Sequence, residues 1–115
     1  MQPKFYYKST CDTCRRARKF LQSTGIAFEE RDMSREPLTE PELRELVGER
    51  ETQPFLNFRN ELYRERKMKA NPPARDEAFA LMAAHPNLIR RPLLVTNEEI
   101  LLVFDEEAYA RLSKK

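Results

Sequence analysis

Glycine is scarce in this chain: two residues in 115, against eight prolines. Boundaries between elements must therefore be set mainly by proline, and no Gly/Ser linker, repeat or low-complexity tract divides the sequence. One domain over residues 1–115 with a modest single core is expected at this length. Long apolar runs are missing too. None approaches the roughly 18 residues that span a bilayer. The opening MQPKFYYKST has no apolar signal region and no small-residue cleavage site. The expectation is a cytoplasmic protein with no membrane partner. Charge of one sign is not in large excess. A net charge of +2 and a pI of about 8.6 are too mild to indicate direct nucleic-acid binding. The densest basic patch, Arg64, Arg66, Lys67 and Lys69, reads as a solvated helix end. Histidine occurs once, as His85 beside Pro86. That position fits a helix end better than a catalytic role, and it leaves zinc short of its usual four ligands, so no metal is expected.

What is present reads as alternating elements. Lys4 to Lys8 is short and aromatic, followed by turn-type residues, and predicts a strand. From Thr13 to Thr24 the apolar positions Ala17, Phe20 and Leu21 follow helical spacing, with Gly25 as the stop. IAFEERDM is strand-like, giving β-α-β. The middle is helical. Thr39 and Glu42 form a capping-box pattern with Pro41 in the first turn. Phe55, Phe58 and Leu62 mark one face of a second helix. A third, in PPARDEAFALMAAHP, turns Phe79 and Met82 inward and ends at Pro86. PLLVT and ILLVF then predict a hairpin, and Asp105 caps a last helix over EEAYARLSKK. The order β-α-β, helical middle, β-β-α predicts an α/β fold with a four-stranded mixed sheet. Pro92 fits the entrance of the third strand, where a missing N–H costs least, after a cis peptide bond.

Both cysteines lie in STCDTCRR, two residues apart. Cys11 falls where the first strand ends, and Cys14 falls inside the first turn of the helix. Unpaired N–H groups and partial positive charge at a helix N-terminus favour thiolate over thiol. The Cys11 pKa is therefore expected below its free value, helped by Arg15, Arg16 and Arg18. A thiolate is the attacking species in disulfide exchange, and Cys14 is placed to resolve the mixed disulfide. Plainer explanations stand beside this one: two small core residues, half of a zinc site, or chance spacing. The position at the opening of a βαβ helix favours the redox or nucleophilic reading. Ser9 and Thr10 either donate to an anion in this loop or shape its turn.

STCDTCRRARKFLQSTGIAFEERDMSREPLTEPELRELV, with HPNLIRRPLLV further on, resembles the arsenate reductase (ArsC) and Spx family of thioredoxin-like proteins. The likeness covers nearly the whole chain in order. It implies a thioredoxin-like sheet with a helical insertion over about 37–88. It also implies that Cys11 is the nucleophile, that Arg91 precedes a structural cis-proline at Pro92, and that Arg59 is a second oxyanion-binding arginine. An arginine fork suits both holding an oxyanion and steadying a thiolate. One departure is plain: after Pro92 the chain reads VTNEEILLVFDEE, acidic and without the further arginine of glutathione-dependent arsenate reductases.

Two functions follow from these residues. The first is a thiol-dependent oxidoreductase that reduces an oxyanion such as arsenate, or a disulfide. Cys11, Cys14 and Arg91 are catalytic, and Arg59, Arg91, Ser9 and Thr10 contact substrate. There is no bound cofactor; glutathione, glutaredoxin or thioredoxin supplies electrons. The alternative is a Spx-like redox-sensing transcriptional regulator, in which a Cys11–Cys14 disulfide switches binding to the α subunit of RNA polymerase.

Overall fold

The structure is a computed structural model that describes residues 2–97, 99–102 and 104–112. Its elements divide between two compact units, 1–36 with 91–115, and 37–90.

The first unit holds the sheet. Strand β1 (Lys4–Tyr7) leads to helix α1 (Asp12–Thr24) and strand β2 (Glu29–Asp32). After the second unit the chain returns as β3 (Leu93–Val95), β4 (Ile100–Leu101) and α5 (Glu106–Leu112). The strand order is β2-β1-β3-β4. β1 pairs in parallel with β2, and the β1–β3 and β3–β4 pairs are antiparallel. This is the four-stranded mixed sheet the sequence predicts. Residue 103 of the expected ILLVF strand and residues 113–115 of the expected last helix lie outside the described residues.

Local chemistry explains these boundaries. α1 ends at Gly25, whose φ of 78° is left-handed and cheap only without a Cβ. The β3–β4 turn closes with Thr96 N–H donating to the Glu99 carbonyl at 2.9 Å. Asp105 caps α5 through its carboxylate, which accepts from Glu107 N–H at 3.0 Å. Phe5, Ala17, Leu21, Leu94 and Tyr109 form the core of the unit, with Tyr7, Phe20, Phe28, Leu101 and Phe104 packed around them. Phe5 stacks on Tyr7 with centroids 5.3 Å apart, and Phe104 meets Tyr109 edge-on at 5.1 Å. Each fully buried side chain of this size stabilises the fold by roughly 1.5–3 kcal/mol.

The second unit is helical: α2 (Glu40–Val47), α3 (Glu61–Glu65) and α4 (Arg75–Ala84), with 3-10 turns at Gln53–Phe55 and Pro86–Leu88. The capping box at Thr39 is formed in full. Glu42 N–H donates to Thr39 Oγ1 at 3.3 Å, and Thr39 N–H donates to Glu42 Oε1 at 3.0 Å. Leu43, Val47, Phe55, Met68, Phe79, Met82 and Leu88 are buried here. The Arg44 and Arg75 guanidiniums lie over the Phe79 ring, at 4.8 and 5.1 Å.

The expected helix through Phe55, Phe58 and Leu62 does not form. Phe55 ends a 3-10 turn, Phe58 is 53% exposed, and α3 begins only after Asn60. Asparagines break the run. Asn57 Oδ1 accepts from Arg59 N–H at 3.1 Å, and Asn57 N–H is drawn to the Leu88 carbonyl at 2.7 Å. Asn60 Oδ1 then caps the new helix at Leu62 N–H, 2.9 Å away. Asparagine side chains compete with the helical ladder in this way and favour turns and caps.

Candidate active site

The site begins with a turn. Cys11 N–H donates to the Lys8 carbonyl at 3.0 Å, and the Cys11 carbonyl accepts the first bond of α1, from Arg15 N–H at 3.0 Å. Cys11 is thus the N-cap residue, with extended backbone (φ −92°, ψ 122°) and a partly exposed side chain. Cys14 sits one turn along, 0% exposed, on the face of α1 that also buries Ala17 and Leu21. Both cysteines are free thiols.

Their acidities diverge. Partial burial opposes ionisation of Cys11, yet its pKa is lowered. The Cys14 N–H and the Cys14 thiol both favour the Cys11 thiolate, followed by the positive charge of Arg91 and the Thr13 N–H. No side-chain capping hydrogen bond is formed by the Cys11 thiol; the amides act through their nearness to the charged form. Cys14 moves the other way. Burial pushes its thiol up to about 12, and the hydrogen bond it gives Cys11 together with the Cys11 charge adds to that, against pulls from the Lys8 N–H and Arg91. Of the two sulfurs Cys11 is therefore the one that ionises first, and Cys14 is the one that keeps its proton and donates to it.

The source of positive charge differs from the expectation. Arg15 pairs with Asp12, and Arg18 forms a fork with Glu30 at 2.7 and 2.8 Å while lying over the Tyr7 ring. Arg16 reaches Thr13 Oγ1 at 3.5 Å. Arg91, whose peptide bond to Pro92 is cis, is the arginine whose charge bears on both sulfurs. Pro92 is buried. Ser9 is exposed and turned toward Asp32, whose carboxylate is held low by hydrogen bonds from Ser34 first, and also from Ser9. Thr10 is exposed. Cys11, Cys14, Arg91, Pro92, Ser9 and Thr10 all belong to the sheet-bearing unit. Arg59 belongs to the helical unit, where it is exposed, with its guanidinium 5.7 Å from the Phe58 ring centroid. His85 is the exposed C-cap of α4. Among the described residues no group of three or more His, Cys, Asp or Glu side chains is placed to hold a metal ion, and no helix is long and apolar enough to cross a membrane.

A helix-opening thiol pair under the charge of an arginine that precedes a cis-proline, on a β2-β1-β3-β4 sheet, invites comparison with known proteins. The family model described as "ArsC family" matches residues 6–112. The chain belongs to the ArsC family. Among its sequence relatives are proteins named as regulators. Global transcriptional regulator Spx 1 of Lactococcus lactis is 27% identical, covering 89% of this chain and 81% of that protein. Regulatory protein MgsR of Bacillus subtilis is 28% identical, covering 99% and 92%. Solved structures of the family include an ArsC family related protein of Bacteroides fragilis, with 28% identity, 97% and 99% coverage and a TM-score of 0.81. Another is an arsenate reductase of Vibrio cholerae, with 26% identity, 96% and 97% coverage and a TM-score of 0.80. A glutaredoxin of Archaeoglobus fulgidus, 17% identical with 99% and 87% coverage and a TM-score of 0.52, shares the thioredoxin-like fold alone.

Proposed function

We propose that this ArsC-family chain is a thiol-dependent oxidoreductase that works through a Cys11–Cys14 dithiol. The opposite displacement of the two acidities carries this reading: a partly exposed thiol at the helix start that ionises more readily than an ordinary cysteine, and a buried thiol one turn behind it that holds its proton. The Cys11 thiolate attacks one sulfur of a substrate disulfide, forms a mixed disulfide and releases the other half as a thiolate. Cys14 then loses its proton to water and attacks the Cys11 sulfur, which expels the second substrate thiolate. Two protein thiols are oxidised and one disulfide is reduced. With arsenate, two thiols give arsenite, a disulfide and water. Arg91 steadies the Cys11 thiolate and offers a charged donor to an oxyanion. The resulting disulfide is returned to dithiol by two glutathiones, a glutaredoxin or a thioredoxin. A cytoplasmic setting, where thiols are kept reduced, goes with this cycle.

A second reading rests on the relatives named as transcriptional regulators. The same disulfide would then be a signal, altering binding to the RNA polymerase α subunit with no turnover required. One experiment separates the two. Under the oxidoreductase reading, arsenate or a small disulfide is consumed catalytically with glutathione and glutaredoxin, and Cys11→Ser abolishes it. Oxidation-dependent capture of the polymerase α subunit without turnover supports the regulator and contradicts the enzyme.

A further inference from the structure

Tyr109 is 0% exposed, within the core cluster of the sheet-bearing unit, yet among the described residues its hydroxyl has no hydrogen-bond partner. A buried hydroxyl left in this state is unfavourable, and phenylalanine would pack the same ring without it. The oxygen therefore asks for an explanation. Its surroundings supply one. Tyr109 packs in one cluster with Ala17 and Leu21, which continue along α1 the buried face that Cys14 begins. Burial raises the phenol's pKa above its ordinary value, and the charge of Cys14 adds to that rise. A protonated phenol packed on the helix face that carries an ionising sulfur has a hydrogen-bond donor to offer.

The geometry points to Tyr109 as a positioning residue for the resolving step: its hydroxyl, buried without a partner against the α1 face that carries Cys14, donates to the Cys14 thiolate when that sulfur attacks. The inference rests on the dithiol reading above and deepens it. Three other groups bear on Cys14: the Lys8 N–H, the Arg91 charge, and Cys11 itself. Once Cys11 is in a mixed disulfide it has lost the charge that opposed Cys14 ionisation and no longer accepts the Cys14 proton. The Cys14 thiolate then needs a donor within the core, and Tyr109 has one uncommitted. The electron balance is that of the exchange itself. Cys14 releases its proton to water, its electron pair forms the bond to Cys11 sulfur, and the mixed disulfide breaks to release a thiolate. Tyr109 donates a hydrogen bond and gives up no proton.

The test uses the full chain, reduced, mixed with the aromatic disulfide dithiobis-nitrobenzoate in stopped flow. The first coloured thiolate reports Cys11 attack, and the second reports resolution by Cys14. Tyr109→Phe is expected to leave the first phase within about twofold of wild type. It should slow the second about tenfold or more, the size expected of one hydrogen bond to a buried charge. Thermal unfolding of the reduced variant should be unchanged or slightly higher. A second phase equal to wild type overturns the inference, as does equal slowing of both phases. A clear loss of resting stability also overturns it, because the hydroxyl would then be bonded within the reduced core. If the wild-type chain releases only one thiolate, the dithiol reading itself fails and this inference falls with it.

Discussion

Cys11 and Cys14 share a hydrogen bond, yet the fold displaces their acidities in opposite directions: Cys11 falls below its ordinary value and Cys14 rises to about 12. The cause is one turn of helix. At the N-cap a sulfur faces unpaired amides and partial solvent, and three residues on it faces the core. The same three-residue spacing that makes the pair close enough to bond also makes them chemically unlike.

Removing Arg91 should make Cys11 a poorer nucleophile. Its guanidinium favours the thiolate, so Arg91→Ala raises the Cys11 pKa and slows alkylation by iodoacetamide at neutral pH. Arg15→Gln and Arg18→Gln should leave the titration near wild type, because those charges are already paired with Asp12 and Glu30. Equal effects from all three would place the field in the helix instead.

Alkaline pH should destabilise the fold through Cys14. Its folded-state pKa is raised from an ordinary 9.0 to about 12. The folded chain therefore keeps a proton that the unfolded chain has lost in this window. Stability from this group is intact below about pH 9 and is lost as pH climbs toward about 12, by up to ~1.4 kcal/mol per pH unit. Cys11 has the opposite sign: its lowered pKa favours the folded state at higher pH, a contribution lost as pH falls through the folded value. Urea unfolding across this range, wild type against Cys14→Ala, isolates the Cys14 slope. The variant should be the flatter of the two.

Thr39→Ala should cost about 1 kcal/mol, the usual loss for an N-cap, since the substitution removes the hydroxyl that accepts from Glu42 N–H. Thermal unfolding measures it. Cys11 titration should not change, because Thr39 belongs to the helical unit and the thiol pair to the other.

These residues differ in how openly the sequence declares them. Thr39, Gly25 and Asp105 are local signals read within one helical turn, and each acts in the structure as its spacing predicts. The thiol pair is equally local. Phe55, Phe58 and Leu62 misled because periodicity ignores Asn57 and Asn60, whose side chains compete for the backbone. Arg15 and Arg18 misled because charge near a sulfur in sequence is not charge free to act on it: both are paired with carboxylates. The influence of Arg91 crosses most of the chain and entered through family likeness alone. Tyr109 gave no signal at all: its unpartnered oxygen exists only once α5 is packed on α1.

The ease with which Cys11 ionises decides whether this sulfur can act as the nucleophile. Alkylation rate against pH, with the modified cysteine identified by peptide mapping, measures it. The prediction is that Cys11 reacts first, with an apparent pKa below that of a free cysteine, while Cys14 stays unmodified until strongly alkaline pH. A Cys11 that titrates at or above the free value, or a Cys14 modified at the same rate, would contradict the account.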